Sequence, residues 1–124
     1  MNKIKVLAVD DDIINLKLLK SILMKLPHIE EVLEAKNGAD AIGILKGQND
    51  IGLILLDIIM PVMGGIEMLK VVRADEGLKH IPVIVLTTDE TKRTEALECG
   101  ANDFVMKPVR KDQVAEKISR LINI

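Results

Sequence analysis

The sequence predicts a three-layer α/β domain built on a parallel sheet, and three observations carry that prediction. Short, continuously apolar runs recur at residues 6–9, 51–56, 81–86 and 103–106. Segments with helical spacing lie between them. Each run also stops on chemically capable side chains: Asp10-Asp11-Asp12, Asp57, Thr87-Thr88 and Lys107-Pro108. Apolar continuity implies strands buried on both faces, because a sheet covered on one side alternates polar with apolar residues. Parallel strands bring equivalent ends side by side, so these distant residues are expected to meet at one site.

The elements follow in order. Behind the first strand, Asp12 is placed to cap a helix running to about Lys25, with Leu16, Leu19, Leu23 and Leu26 repeating at three and four residues. Pro27 ends it. Glu31-Val32-Leu33-Glu34-Ala35 reads as a short second strand. Asn37-Gly38 turns into a helix carrying Ala41, Ile42 and Leu45, and Gly64-Gly65 opens another with Ile66, Leu69 and Val72 on one face. Residues 91–98 suggest a short polar helix closed by Gly100. The last helix spans about 111–122, with Val114, Ile118 and Leu121 facing inward. Five βα units result, joined by right-handed crossovers.

Composition narrows the function. The 124 residues fit a single domain, 1–124, long enough to bury a core. Hydrophobic residues at 48% and charged residues at 29% indicate a compact fold rather than disorder. A net charge of −2, with acids and bases interleaved, lacks the basic footprint of a nucleic-acid binder. Phe104 is the only aromatic residue, so the stacking platforms of single-strand or sugar binders are missing. No apolar stretch reaches membrane-spanning length, and the N-terminus lacks the pattern of a signal peptide. The single Cys99 permits no intrachain disulfide, which fits a cytoplasmic setting. His28 and His80 stand apart from every motif and are expected on the surface; the six Met residues are expected to fill the core.

The strand ends suggest a chemistry. Asp10, Asp11 and Asp57 would crowd several negative charges together, and a divalent cation is the natural remedy. Mg2+ takes oxygen ligands and is commonly held by one or two carboxylates plus a phosphate oxygen; a backbone carbonyl just beyond Asp57 could add another. Lys107 brings an ammonium, Thr87 a hydroxyl donor. A carboxylate can itself act as a nucleophile, and transfer of a phosphoryl group is largely positioning and electrostatics. The set points to phosphorylation of Asp57.

On the motifs Val9-Asp10-Asp11, Leu56-Asp57-Ile58-Ile59-Met60-Pro61, Leu86-Thr87-Thr88 and Val105-Met106-Lys107-Pro108, the chain resembles the receiver domains of two-component response regulators. The likeness runs from Lys5 to Leu121. It implies a flavodoxin-like doubly wound (βα)5 fold with strand order 2-1-3-4-5. It also implies a signalling switch rather than a turnover enzyme, with Asp57 taking a phosphoryl group from the phosphohistidine of a sensor kinase or phosphotransfer protein. Asp10, Asp11, Asp57 and the Ile59 carbonyl would hold Mg2+. Thr87 would be the switch hydroxyl and Lys107 the clamp on the phosphoryl oxygen, with a cis Lys107-Pro108 bond. Phe104 would be the aromatic switch, able to swing inward once Thr87 moves. The surface of the fourth helix, fifth strand and fifth helix, about residues 91–124, would then alter its affinity for a downstream protein. The protein is expected to be a stand-alone receiver, or one cut from a larger chain, monomeric or dimerising on phosphorylation, and without direct contact to nucleic acid or membrane.

Some positions depart from the family pattern. Gly64-Gly65 replaces a common Asp-Gly, and Thr88 stands where Ala or Gly is frequent, narrowing access to the phosphoryl group. Ile59 offers no group to orient an attacking water, which predicts a long-lived aspartyl phosphate, although Asp89 could position water instead. A phosphatase of the haloacid dehalogenase type would have an acid at residue 59. A nucleotide or flavin binder would have a glycine-rich loop where this chain has three acids. A phosphate-silent receiver would lack one of the five site residues.

Overall fold

The computed structural model describes residues 3–48 and 50–122. The ends of the predicted 1–124 unit, and with them the last two residues of the predicted 91–124 surface, lie outside the described residues. Strands β1 (Ile4–Val9), β2 (Ile29–Ala35), β3 (Ile51–Asp57), β4 (Val83–Thr87) and β5 (Asp103–Met106) form one sheet in the order β2-β1-β3-β4-β5. Every neighbouring pair is parallel. The helices are α1 (Ile13–Met24), α2 (Gly38–Gly47), α3 (Gly65–Ala74), α4 (Arg93–Glu98) and α5 (Lys111–Ile122). The predicted fold and strand order hold.

Alternate residues of each strand feed two separate cores. Val6, Ala8, Leu53, Leu55, Ile84, Leu86 and Val105 share one cluster with Leu16, Leu19 and Leu23 of α1 and Val114 and Ile118 of α5. Leu7, Val9, Ile54, Leu56, Val83, Val85 and Phe104 join the other with Ala41 and Leu45 of α2, Met68, Leu69 and Val72 of α3 and Ala96 of α4. Burial on both faces explains why β3 and β4 read as unbroken apolar runs.

Local chemistry sets the boundaries. The Asp12 carboxylate accepts the Ile14 N–H at 2.9 Å and caps α1. Asn37 does the same for α2 through Asp40 N–H at 2.8 Å. Edge strand β2 starts at Ile29, two residues before the predicted start, and its outward Glu30 and Glu31 hid the beginning from an apolar count. Charged side chains on an edge also discourage pairing with another sheet. The predicted helix at 91–98 divides into a 3-10 turn, Glu90–Lys92, and α4, because Asp89 caps the segment at Thr91 N–H and tightens its first turn. Gly100, at φ 106°, reverses the chain after α4. His28 departs from expectation: it is half-buried in the α1–β2 connection, where its carbonyl accepts the Ile4 N–H, and its Nδ1 finds no hydrogen-bond partner among the described residues.

Arg73 of α3 ties together segments that the sequence leaves unconnected. It donates to the carbonyls of Gly100 (2.9 Å), Lys79 (3.0 Å) and Ile81 (2.7 Å) and to Asn102 Oδ1 (2.8 Å), binding both loops at the base of β4 and β5.

Gly65 makes a close approach of another kind. A Cβ there would collide with the Asp57 carbonyl oxygen and come within 2.8 Å of Ile58 Cα. Both groups are backbone, so neither can rotate away. Gly43, inside α2, has nothing within 4 Å of such an atom. Thermal or urea melts should therefore separate two identical changes: Gly65→Ala is expected to lose about 1–3 kcal/mol through overpacking, and Gly43→Ala to gain about 0.5–1 kcal/mol from helix propensity.

Candidate functional site

The C-terminal ends of β1, β3, β4 and β5 deliver the predicted side chains to one place. Asp10 follows β1 and is fully buried, Asp57 closes β3 at 6% exposure, and Thr87 closes β4 at 1%. These three are the buried polar side chains of a core otherwise apolar among the described residues. Asp11 lies exposed beside them, and each of Asp10, Asp11 and Asp57 offers a carboxylate oxygen within 4.8 Å of the others. Lys107, just past β5, donates to Asp10 Oδ2 at 2.9 Å and reaches Asp57 Oδ1 at 3.3 Å. The other Asp10 oxygen accepts the Asp12 N–H at 2.9 Å. The edges of β4 and β5 are joined where Lys107 N–H donates to the Thr87 carbonyl at 2.8 Å. The Lys107-Pro108 bond is cis, as the resemblance implied.

Three carboxylates thus face one ammonium, and the electrostatics follow. Burial is the main force raising the Asp57 carboxyl, and the neighbouring Asp10 charge adds to it. Lys107 opposes both without cancelling them, so the group is pushed up from 3.8 to about 6. For Lys107 the largest influence, burial, acts to lower its pKa. The hydrogen bond to Asp10 and the charges of Asp57 and Asp10 outweigh it and hold the ammonium above its usual value.

The remaining predicted residues divide. Thr87 Oγ1 accepts the Asp89 N–H at 3.0 Å, so its hydroxyl oxygen is engaged with the loop after β4. Asp89 turns its carboxylate the other way, accepting from Thr91 N at 2.9 Å and Thr91 Oγ1 at 2.5 Å. One of its oxygens, Oδ1, thus serves as the cap of the 3-10 turn. The Ile59 side chain is 64% exposed at the mouth of the site. Phe104 is already inside the core at 8% exposure, with the Arg93 guanidinium 5.6 Å above its ring centroid. The ring therefore lies in the inward position in this structure. The ring is large enough that its burial is worth roughly 1.5–3 kcal/mol, and an overlying cation adds to that.

The loop from β3 to α3 holds a feature the sequence does not announce. Val62 has φ 68°, and Met63 N–H donates back to the Pro61 carbonyl at 2.7 Å, a γ-turn of the rare hand. For a β-branched residue this is strained by about 1–3 kcal/mol. The turn places the Met63 carbonyl to accept the Gly38 N–H at 2.9 Å, tying the loop to the start of α2. Arg93 was missed for another reason. Nothing in a lone Arg at the head of a polar helix signals a ring eleven residues later. The acid cluster is separate from a groove of about 710 Å³ between α1 and α2, lined by Ile13, Leu16, Ala39, Gly43 and Ile44 among others.

A buried acid pocket at the carboxyl edge of a doubly wound five-stranded sheet, served by a hydroxyl and an ammonium, defines a phosphoryl-handling class of domain. The profile of the response regulator receiver domain matches residues 6–119, and the chain belongs to that family. It is a CheY-like, phosphorylation-dependent signalling switch of two-component systems rather than a conventional enzyme. The chain is 33% identical over 120 residues to a chemotaxis protein CheY homolog of Campylobacter jejuni, covering 95% of this chain and 92% of that protein. Among solved structures it is similar to the receiver domain of a sensor histidine kinase from Pseudomonas aeruginosa PAO1, which has magnesium coordinated in its active site cleft. That likeness has a TM-score of 0.87 and 26% identity, over 98% of this chain and 99% of the other. It is also similar to a chain of the CheX–CheY–beryllofluoride–magnesium complex of Borrelia burgdorferi, with a TM-score of 0.89 and 27% identity, over 98% and 90% of the two chains.

Charge crowding at Asp57 makes a prediction without any phosphoryl donor. Between 3.8 and about 6 the folded protein holds more protons on Asp57 than the unfolded chain does. This carboxyl's contribution to stability is therefore complete below the unfolded value and lost as pH rises through about 6. At neutral pH without divalent cations, Asp57→Asn is expected to stabilise the protein by about 1–3 kcal/mol in urea titrations. Lys107→Met, which strands Asp10 without a cation, should cost about 3–5 kcal/mol. Destabilisation by both would show that Asp57 is not held at a cost.

Proposed function

We propose that Asp57 is the phosphoacceptor of this receiver, in a Mg2+-dependent transfer from the phosphohistidine of a sensor kinase or phosphotransfer protein. The single supporting observation is the convergence of Asp10, Asp11 and Asp57 within 4.8 Å, with Lys107 bridging two of them. The donor set fits the metal: it is all oxygen, anionic and supplied with one cation too few, which suits a small hard dication. Asp10, Asp11 and Asp57 would hold Mg2+, with the Ile59 carbonyl as a further ligand. When bound, the ion would supply positive charge that offsets the carboxylates and the developing charge of a transferring phosphoryl group.

The chain's own residues do the rest. An Asp57 carboxylate oxygen attacks phosphorus, and the P–N bond of the phosphohistidine breaks, its electron pair leaving with the imidazole. Lys107 can follow the charge, because its ammonium already lies between Asp10 and Asp57. The Thr87 hydroxyl, released from the Asp89 N–H, donates to a phosphoryl oxygen. Exposed Ile13 and Ile14 follow Asp10-Asp11-Asp12 directly, and Ile59 and Val62 follow Asp57. This apolar rim favours a protein donor over a small polar one. The downstream partner is read on the surface of β5, α4 and α5.

Acetyl phosphate or beryllofluoride should modify the protein only when Mg2+ is present, and Asp57→Asn should abolish the modification. Mass spectrometry showing the phosphoryl group still attached to that variant would move the acceptor elsewhere. The aspartyl phosphate should also be long-lived, since Ile59 cannot orient water and Asp89 is engaged at Thr91. Ile59→Asn is expected to speed its hydrolysis by roughly tenfold or more, and an unchanged decay rate would remove Ile59 from the explanation.

A further inference from the structure

We propose that the groove between α1 and α2, at the β2 edge of the sheet, binds a small organic cation: an ammonium or guanidinium carried on a compact apolar body. The groove is separate from the acid pocket, and the proposal stands whether or not Asp57 takes a phosphoryl group.

The groove opens where the sheet ends. β2 is an edge strand, and the helices that precede and follow it rise on either side of its last residues. Ile13 and Leu16 of α1 form one wall, and Ala39, Gly43 and Ile44 of α2 form the other. The inner surface is apolar, with Leu16 and Ala35 buried and Ile44 half-buried. Ile13 keeps 53% of its surface uncovered, which an apolar occupant could cover.

Gly43 shapes this space. Glycine inside a helix is less stable than alanine, and a Cβ at this position would meet nothing within 4 Å. Packing within the chain therefore gives no reason for a glycine here. Its effect is to leave the α2 backbone open along the groove, where a larger side chain would take up the volume.

Charge selects the occupant. The polar residues lining the groove are Glu34, Lys36 and Asp40, all exposed. Two carboxylates thus outnumber one ammonium, and none of the three makes an ion pair among the described residues. Asp40 has only the Asn37 amide on its carboxylate, at 3.3 Å. Lys36 has a long stem that can carry its ammonium away from the apolar walls into water. An acidic rim over an apolar floor suits a cation with an apolar body and disfavours an anion of the same shape. Size sets the class of ligand. About 710 Å³ falls within the range of small-molecule sites. The α2 wall runs only from residue 39 to residue 44, about 8 Å of helix, far less than the roughly 800 Å² per partner of a stable protein interface would need.

Three probes of one shape and different charge test this. Full-length 15N-labelled protein in Mg2+ would be titrated with 2-phenylethylamine, 2-phenylethanol and phenylacetate, following its amide resonances. The amine should shift Ala39, Gly43 and Ile44 with a Kd in about the millimolar range, the alcohol should bind more weakly, and phenylacetate should not bind. Glu34→Gln and Asp40→Asn should each weaken the amine by roughly two- to fivefold, and Lys36→Met should strengthen it by a similar factor. Gly43→Leu, a change to a good helix former, should abolish the shifts while the rest of the spectrum stays folded. Equal binding of amine and alcohol would overturn the role of the carboxylates. Undiminished binding by Gly43→Leu would overturn the site, as would silence towards all three probes. Shifts confined to Asp11 and Ile58 would place the cation in the acid pocket instead and overturn the proposal.

Discussion

The ion pair between Lys107 Nζ and Asp10 Oδ2, 2.9 Å long with side-chain exposures of 13% and 0%, holds together an edge that like-charge repulsion would otherwise open. Asp10 is fully buried, and a buried carboxylate without a partner is among the costliest groups a fold can contain. Lys107 answers that need, yet it stands only 3.3 Å from Asp57 and serves both acids. The sharing matters. Burial and the Asp10 charge raise the Asp57 carboxyl to about 6, and one ammonium shared between two carboxylates does not cancel them. The site is stable enough to fold and still short of positive charge. Such a shortage attracts a dication and, through it, a phosphoryl group.

Topology makes the pairing possible. Asp10 and Lys107 lie 97 residues apart, and only the order β1-β3-β4-β5 across the sheet brings their strand ends onto one edge. The same order places Asp57 between them, on a strand buried along nearly its whole length. Small local devices fix the details. Asp12 takes up the cap of α1 and so leaves Asp10 and Asp11 for other work. Gly65 lets α3 begin hard against the Asp57 carbonyl. The γ-turn at Val62 stores strain in the loop that follows the acceptor.

The acids, the hydroxyl and the ammonium were legible because each sits where an apolar run stops, and a parallel sheet converts that regularity into proximity. Helix ends were legible where a capping side chain was unambiguous, as at Asp12 and Asn37. Three things were not. The start of β2 is masked by glutamates that face solvent on an edge. The split of the fourth helix depends on where the Asp89 carboxylate points, which composition does not encode. The Arg73 strut and the Arg93–Phe104 contact join residues from different elements, and contacts made through space leave no period in the chain. The inward Phe104 belongs with these: resemblance suggested a switch at this position, and the side on which its ring lies is set by neighbours in space.

Packing on both faces of the sheet bears on how a charge event at Asp57 could travel. The sheet divides the interior into two cores, and its strands are packed from both sides, so β3 and β4 cannot shift without disturbing both clusters. Movement is left to the connections at the carboxyl edge. Of these, the β3–α3 loop is tied to α2 through Met63 and Gly38, and the β5–α5 connection carries Lys107, which the acids hold. The β4–α4 turn combines exposed residues with a direct hydrogen bond to a buried side chain of the site, as the β1–α1 connection does through Asp12 N–H and Asp10. A two-state element needs one contact that the signal removes and little packing that resists the change. Asp89 N–H to Thr87 Oγ1, on the edge beside Asp57, has the form of such a contact.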